Sequence, residues 1–341
     1  MPPPLVSVLM PSHDHEHFVG AALDSVAAQG YAHWEAIVVD DGSGDATPSI
    51  VEARAEADPR IRLVRRPHAG PSGLGDTYKA ALAEARGELI AVLEADDAWP
   101  PGKLERQVAD LDDPAVVLSF GDHDWIDASG RTIRRVSLSR ALPPGALRND
   151  PPGTAAWHMA GLAHRTFTFP CTVVLRRSAL EDAGGFMPLD GPVALVDFPT
   201  FLEVSLRGRF AYHPVVLGSW RRHLGSLTTS NDEAITRAAR DHAARFLDRH
   251  PELRPPGASE RTVRDAWDAA VAGSLFTEAR TDLVARRWAQ ARAKLRRLLR
   301  GPAPARLRAL AVAGLAAAGM RRDLEPVLRL ALGYDLRPLR G

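Results

Sequence analysis

Cysteine is almost missing from this chain of 341 residues: Cys171 stands alone, which excludes an intramolecular disulfide and a cysteine-built zinc site and is compatible with a reducing compartment. Long apolar runs are missing too. The longest candidate, Ala309 to Met320, reaches about half of the roughly 20 residues a membrane helix requires. Met1-Pro2-Pro3-Pro4 lacks the basic-then-apolar order of a secretory signal, so a cytoplasmic location is expected. No glycine-rich turn follows the first strand-like run, where Pro11-Ser12-His13-Asp14 stand, and this argues against a Rossmann oxidoreductase. Gly73-Leu74-Gly75 is too short to be a dinucleotide fingerprint and follows the wrong strand. A dehalogenase-like phosphatase would need a nucleophilic acid at the end of the first strand, and none sits there.

What is present is an ordinary globular composition, 45% hydrophobic and 25% charged, long enough for two domains or one large one. The net charge of +1 hides an asymmetry: residues 231–341 hold 22 Lys+Arg against 13 Asp+Glu, leaving −8 on the first 230 residues. An acidic front is a poor nucleic-acid binder. The basic tail is read as a solvated helical surface, compatible with peripheral contact with an anionic membrane face on its inner side.

The sharpest feature is where the acids fall. Leu89-Ile90-Ala91-Val92-Leu93 runs into Glu94-Ala95-Asp96-Asp97, and Ala36-Ile37-Val38-Val39 runs into Asp40-Asp41-Gly42-Ser43. Two buried strands that end in acid would bring several negative charges together, and a cation is the natural remedy. Leu5 to Met10, Ala36 to Val39, Ile61 to Val64 and Leu89 to Leu93 read as buried strands. Between them Phe18 to Gln29, Thr47 to Ala57 (capped by Asp45) and Thr77 to Arg86 carry helical spacing. That alternation predicts right-handed crossovers and a doubly wound, mostly parallel α/β sheet flanked by helices, with ligands outside the carboxyl ends of the strands.

Beyond residue 114 the pattern loosens: Val116 to Phe120 and Thr172 to Leu175 are strand-like, Ser178 to Ala183 and Phe198 to Arg207 helical. Pro143, Pro144, Pro151 and Pro152 punctuate a connection. Residues 231–341 are rich in Ala, Arg and Leu, and Leu283, Ala285, Trp288, Ala291, Leu295 and Leu299, then Leu307 to Leu315, predict packed helical hairpins. His13, His15 and His17 alternate in a loop and are read as solvated rather than as a metal site.

Val6-Ser7-Val8-Leu9-Met10-Pro11-Ser12, the alanine-rich helix ending Ala28-Gln29, Trp34 to Ser43, and Arg86-Gly87-Glu88 leading to Glu94-Ala95-Asp96-Asp97 resemble, in order and spacing, family 2 glycosyltransferases of the GT-A fold. The resemblance continues through Arg176 to Leu180 with Gly184-Gly185-Phe186, then Trp220-Arg221-Arg222-His223-Leu224-Gly225-Ser226. It covers about the first 230 residues and implies a GT-A domain over 1–230, with a nucleotide-sugar-binding half at 1–115 and an acceptor-binding half at 116–230. An α-helical C-terminal domain at 231–341 lies outside it.

The resemblance implies roles residue by residue. Pro11, Ser12, Asp14 and Asp41 fall in the nucleotide-contacting region, and Glu94-Ala95-Asp96 takes the place of the acid-x-acid metal motif. Glu94 replaces the more usual Asp, and its longer side chain points to the ribose or a metal-bound water. Asp96 and Asp97 are therefore the expected ligands of Mn²⁺ or Mg²⁺, with His223 as a late ligand and Arg222 on the phosphates. Lys79 stands in a segment where the family often carries Arg then Asn, and offers a cation to the donor. Asp197 matches the catalytic base; Val196 sits where a second acid is common, leaving Asp197 without a like-charged sequence neighbour.

The implied activity is metal-dependent, inverting transfer of a sugar from a UDP-, dTDP- or GDP-sugar to a glycan, lipid-linked or small-molecule acceptor, in surface glycan or other glycoconjugate biosynthesis. The altered Val196-Asp197 and Tyr78-Lys79 positions keep an alternative open: a catalytically weak or inactive glycosyltransferase-like nucleotide-binding scaffold that acts through its helical tail.

Overall fold

Strand and helix alternate through the first part of the chain: β1 (Val6–Ser12), α1 (Val19–Ala27), β2 (Trp34–Asp40), α2 (Thr47–Ala57), β3 (Ile61–Arg65), α3 (Leu74–Glu84) and β4 (Leu89–Val92). β1, β2 and β4 are buried along their whole length, as near-continuous apolar strands must be when helices cover both faces of a sheet. α1 buries Val19, Ala22, Leu23 and Val26 at helical spacing. These pack with Val8, Met10, Ala36, Val38, Ala91 and Leu93 into one core, each large side chain contributing about 1.5–3 kcal/mol by leaving water.

The computed structural model describes residues 2–139, 142, 145, 147–163, 168–189, 195–224 and 226–321, together with 325, 328, 332, 334 and 336. Pro143, Pro144 and Gly225, named above in the connection and in the late motif, lie outside the described residues.

The chain continues through α4 (Lys103–Asp110), β5 (Val116–Ile126), β6 (Thr132–Val136), the single turn α5 (Thr154–Ala156), β7 (Val174–Arg176), α6 (Arg177–Asp182), α7 (Asp197–Val204) and β8 (Arg209–Arg221). Strand order is β3-β2-β1-β4-β7-β5-β6, with β8 also paired to β5. The β3·β2, β2·β1 and β1·β4 pairings are parallel; β7 runs antiparallel to β4 and β5. The mostly parallel sheet expected from the alternation is therefore present, with an antiparallel continuation. Three strands exceed the expectation: β5 extends past Phe120 to Ile126, and neither β6 nor β8 was anticipated. Pro214 interrupts the apolar pattern of β8, yet Pro214 and Val215 are exposed, where a missing ladder donor costs little.

The chain divides into two compact units, Met1–Asp124 with Val136–Trp157 and Thr166–Trp220, and Trp125–Arg135 with His158–Arg165 and Arg221–Gly341. The second unit is built mainly on α8 (Leu227–Arg249), α9 (Glu260–Val284), α10 (Trp288–Arg300) and α11 (Ala305–Gly319). Ser259 caps α9 by accepting the Thr262 N–H at 3.1 Å. The apolar series from Leu283 to Leu299 is split by a turn in which Arg286 takes φ of +59°, and Leu283, Ala291 and Leu295 are buried from either side of it.

Part of the tail's positive charge works inside the unit. Arg280 and Glu325 pair at 2.8 Å with both side chains 1% exposed, and Lys294 reaches Glu278 and Asp282 at 2.9 Å each. Among the described residues no helix is long and apolar enough to cross a membrane.

Candidate active site

The parallel register brings the strand tips level. Ser12 pairs with Asp40 and Leu9 with Val92, and the ladder runs on past β4: Leu93 N–H donates to Leu9 O at 3.1 Å and Ala95 N–H to Pro11 O at 3.2 Å. Asp41 N–H donates to Ser12 O at 2.9 Å, and Asp97 N–H closes a turn onto Glu94 O at 2.9 Å. Pro11, Ser12, Asp41, Glu94 and Ala95 are thus held together by backbone bonds. The Ser12 hydroxyl is buried without a hydrogen-bond partner among the described residues, an orphan of the kind that a ligand satisfies.

The acids beyond β4 divide their work. Glu94 accepts the Tyr78 hydroxyl at 3.0 Å, and Tyr78 lies against Phe186 with ring centroids 4.9 Å apart. Burial, reinforced by the charges of Asp96 and Asp197, pushes the Glu94 carboxyl up to about 8. The like charge that Val196 does not supply beside Asp197 in sequence therefore comes in space from Glu94. Asp197 opens α7 in its first turn, where the helix dipole favours a carboxylate. Asp96 is half-buried, whereas Asp97 is 1% exposed and takes the hydrogen bond of the buried Cys171 thiol, whose proton is held well above the usual thiol range by burial and by the Asp97 charge.

Asp41 is held from several sides. Its carboxylate accepts Ala69 N–H at 3.1 Å and Gly70 N–H at 3.2 Å, and His68 Nδ1 lies 3.1 Å from Oδ2. Nδ1 of His13 and Nδ1 of His68 each lie 2.9 Å from the Asp41 carbonyl oxygen, and the two rings stack at 4.1 Å. Gly42 permits this: it has φ of +67°, and a Cβ there would lie 2.7 Å from His68 N. Of the three alternating histidines, His13 is therefore drawn into a cluster instead of standing in solvent.

Asp14, with φ of +52°, staples two loops together: its N–H donates to Ser43 Oγ at 2.9 Å and its carboxylate accepts Gly44 N–H at 2.8 Å. His15 and Glu16 add N–H bonds to Thr47 Oγ1 at 2.8 Å and Asp45 Oδ2 at 2.9 Å. Lys79 lies on the exposed face of α3, 3.4 Å from Asp76. The α3 residue that meets the acids is its neighbour Tyr78.

Arg222 and His223 belong to the second unit. Arg222 is buried, donates its N–H to Ile126 O at 2.8 Å and holds its guanidinium 4.5 Å from the centre of the Trp125 ring. His223 N–H meets Ser226 Oγ at 3.2 Å.

Sequence reasoning missed Tyr78, His68 and Lys103. The buried face Gly75, Thr77, Tyr78 and Ala81 of α3 was legible as a helical stripe, but not what it faced. Lys103 carried no signal, because a lysine at a helix start reads as surface. In fact it is wholly buried, its ammonium 4.6 Å from the Trp99 ring centre and bonded to Gln107 Oε1. Burial pulls its proton affinity down to about 7. Gln107 in turn donates to Ser119 O at 2.7 Å and Thr172 O at 2.8 Å, tying α4 to the segment that carries Cys171.

Glu94 and Asp96 offer oxygen alone, and Glu94 is raised first by burial and then by the negative charges of Asp96 and Asp197. Such a donor set fits a hard divalent cation such as Mg²⁺ or Mn²⁺.

A family model described as Glycosyl transferase family 2 matches residues 7–184. The UDP-Glc:alpha-D-GlcNAc-diphosphoundecaprenol beta-1,3-glucosyltransferase WfgD of Escherichia coli is 38% identical over 167 residues, 49% of this chain and 64% of that protein. An uncharacterized protein of Mycobacterium tuberculosis is 30% identical over 246 residues, 70% of this chain and 73% of that protein. Against several other curated relatives the chain spans about half of their length or less. Among solved structures, a mannosyltransferase from Pyrobaculum calidifontis in complex with GDP-Man and Mn²⁺ superposes with a TM-score of 0.52 at 22% identity, covering 94% of this chain and 87% of that one. That likeness concerns the fold, which is the GT-A type expected.

Proposed function

This chain belongs to glycosyl transferase family 2, and from that premise we propose that it transfers a sugar from a nucleotide-sugar donor to an acceptor hydroxyl, with inversion and with the help of a divalent cation. One observation carries the reading. Carboxylates from two separate elements meet: Glu94, after β4, feels the charge of Asp197 at the head of α7.

In this reading Pro11, Ser12 and Asp41 meet the nucleoside, and the orphan Ser12 hydroxyl gains its bond there. Asp14 acts through the loop it staples. Glu94 reaches the ribose or the ion, with Ala95 leaving room beside it. Asp96 is the first ligand for Mg²⁺ or Mn²⁺, while Asp97, turned inward on Cys171, fixes the turn. The ion, when bound, supplies Lewis-acid neutralisation of the departing diphosphate. Arg222 and His223 are assigned to diphosphate and ion on the sequence resemblance alone; Lys79 would need to leave Asp76 to serve.

Asp197 takes the proton of the acceptor hydroxyl as its oxygen bonds the anomeric carbon. The carbon–oxygen bond to the diphosphate breaks, and the pair of electrons leaves with the nucleoside diphosphate. Tyr78 holds Glu94 in place by its hydroxyl bond. In this reading residues 1–115 are the donor half, 116–230 the acceptor half, and 231–341 a helical region whose net positive charge suits an anionic acceptor or a membrane surface. Escherichia coli WfgD, by its name, acts on a diphosphoundecaprenol-linked sugar, which makes a lipid-linked acceptor a sensible first trial.

The test is a mass-spectrometric screen of UDP-, dTDP- and GDP-sugars with Mn²⁺ or Mg²⁺, scoring nucleoside diphosphate release with and without acceptors. Release from at least one donor supports the reading. A donor that binds and is never transferred across a broad acceptor panel would turn it toward a nucleotide-binding scaffold.

A further inference from the structure

We propose that His13, Asp41 and His68 form a binding site for one borderline divalent cation of the Zn²⁺, Co²⁺ or Ni²⁺ kind, made of different residues from the oxygen-only group at Glu94 and Asp96, and that its occupancy closes the donor cleft. The ligand atoms of the three residues already lie within 4.8 Å of one another. The imidazoles stack with an interplanar angle of 19°; both turn Nδ1 toward the Asp41 carbonyl oxygen, and His68 Nδ1 also lies 3.1 Å from the Asp41 carboxylate. Nitrogen and oxygen ligands at about 2.0–2.2 Å around a tetrahedral ion sit roughly 3.3 Å apart. A modest rotation of two side chains closes that gap.

The cluster is built, not incidental. The absent side chain of Gly42 lets His68 approach, Gly70 turns the backbone with φ of +73°, and Ala69 and Gly70 N–H groups hold the largely buried Asp41 carboxylate. A carboxylate has about four lone-pair sites, so capacity is left after those bonds. The imidazoles are 39% and 49% exposed, so an ion can enter.

Two imidazoles with one carboxylate prefer Zn²⁺, Co²⁺ or Ni²⁺, whereas an all-oxygen group prefers Mg²⁺ or Mn²⁺. Two neighbouring groups of ligands therefore sort cations by hardness. Because Asp41 is proposed above to meet the nucleoside, an ion held there competes with the donor; that half of the inference rests on the functional reading, whereas the metal site does not.

The test uses the whole chain, stripped with a chelator and titrated with Co²⁺ alone while the visible absorption of the bound ion is followed. Wild type is compared with His13→Ala, His68→Ala and His68→Gln, each melted to check folding; His68→Gln is read if an alanine variant melts lower. Wild type is expected to bind one equivalent, displaced by Zn²⁺ and not by Mg²⁺, and each substitution to weaken binding at least about tenfold. No absorption in wild type, or the same affinity after loss of either histidine, overturns the site. In a second arm UDP, GDP and dTDP are added. Weakened Co²⁺ uptake supports competition at Asp41; unchanged uptake with the histidine dependence intact overturns the closure of the cleft and leaves the site standing.

Discussion

Replacing Glu94 by Gln removes a titration that the folded chain can support only at a cost. Its carboxyl is raised from 4.5 to about 8, so between those values the folded state holds a proton that the unfolded chain has released. Stability must then fall as pH rises through that window, by at most about 1.4 kcal/mol per pH unit. The full shift would amount to roughly 4–5 kcal/mol, but Glu94 is only half-buried, and solvent screening brings the expected effect at pH 7.5 to about 1–3 kcal/mol. Glutamine keeps an oxygen for the Tyr78 hydroxyl and cannot ionise. Urea unfolding in the presence of a chelator, at several pH values from 5 to 8, should show a downward slope for wild type and a distinctly flatter one for Glu94→Gln, the variant being the more stable at the alkaline end. Adding Mn²⁺ should flatten the wild-type slope. Equal slopes for the two proteins would refute the placing of Glu94 in a buried setting beside the charges of Asp96 and Asp197.

Asp197→Asn should lower the transfer rate by about 10²–10⁴-fold while donor affinity, measured by calorimetry, stays within a few-fold of wild type; equal transfer rates would remove Asp197 from the reaction. Tyr78→Phe deletes the hydroxyl bond that lowers the proton affinity of Glu94, so the pH at which Mn²⁺-assisted donor binding reaches half its maximum should move up. Lys103 titrates near 7 in the fold against 10.5 in the open chain. The unfolded chain therefore binds the extra proton, stability should gain a rising contribution with pH across that window, and in an unfolding series extended to about pH 10 Lys103→Met should lose that contribution. Gly42→Ala must adopt a strained positive φ and push against the His68 backbone at 2.7 Å; a loss of about 1–3 kcal/mol with weakened donor binding is expected.

The parallel half of the sheet was legible because its strands are buried on both faces and so spell unbroken β-branched runs, Ile37-Val38-Val39 being the clearest. The acidic tips were legible for the same reason: an acid directly after such a run has nowhere to go except the sheet's carboxyl end. β8 was not, since exposed Pro214 breaks the pattern at a point where the strand tolerates it. What eluded sequence reasoning was contact across long separations. Nothing local couples Tyr78 to Glu94, His13 to His68, or Cys171 to Asp97, and Lys103 looks like a surface lysine until Trp99 and Gln107 are seen around it. The tail's basic excess looked like a surface property, yet Arg280 and Lys294 spend their charge on buried carboxylates.

In the proposed function the acidic tip at Asp96 recruits a divalent cation so that a diphosphate can dock. Calorimetric titration of UDP, GDP and dTDP into wild type and Asp96→Asn, each with Mn²⁺ and with chelator, tests it most directly. At least one nucleotide should bind wild type with Mn²⁺ and weaken by about tenfold or more, 1.4 kcal/mol, both on chelation and on substitution. Binding that is indifferent to the cation and to Asp96, or no binding of any of the three, would contradict the account.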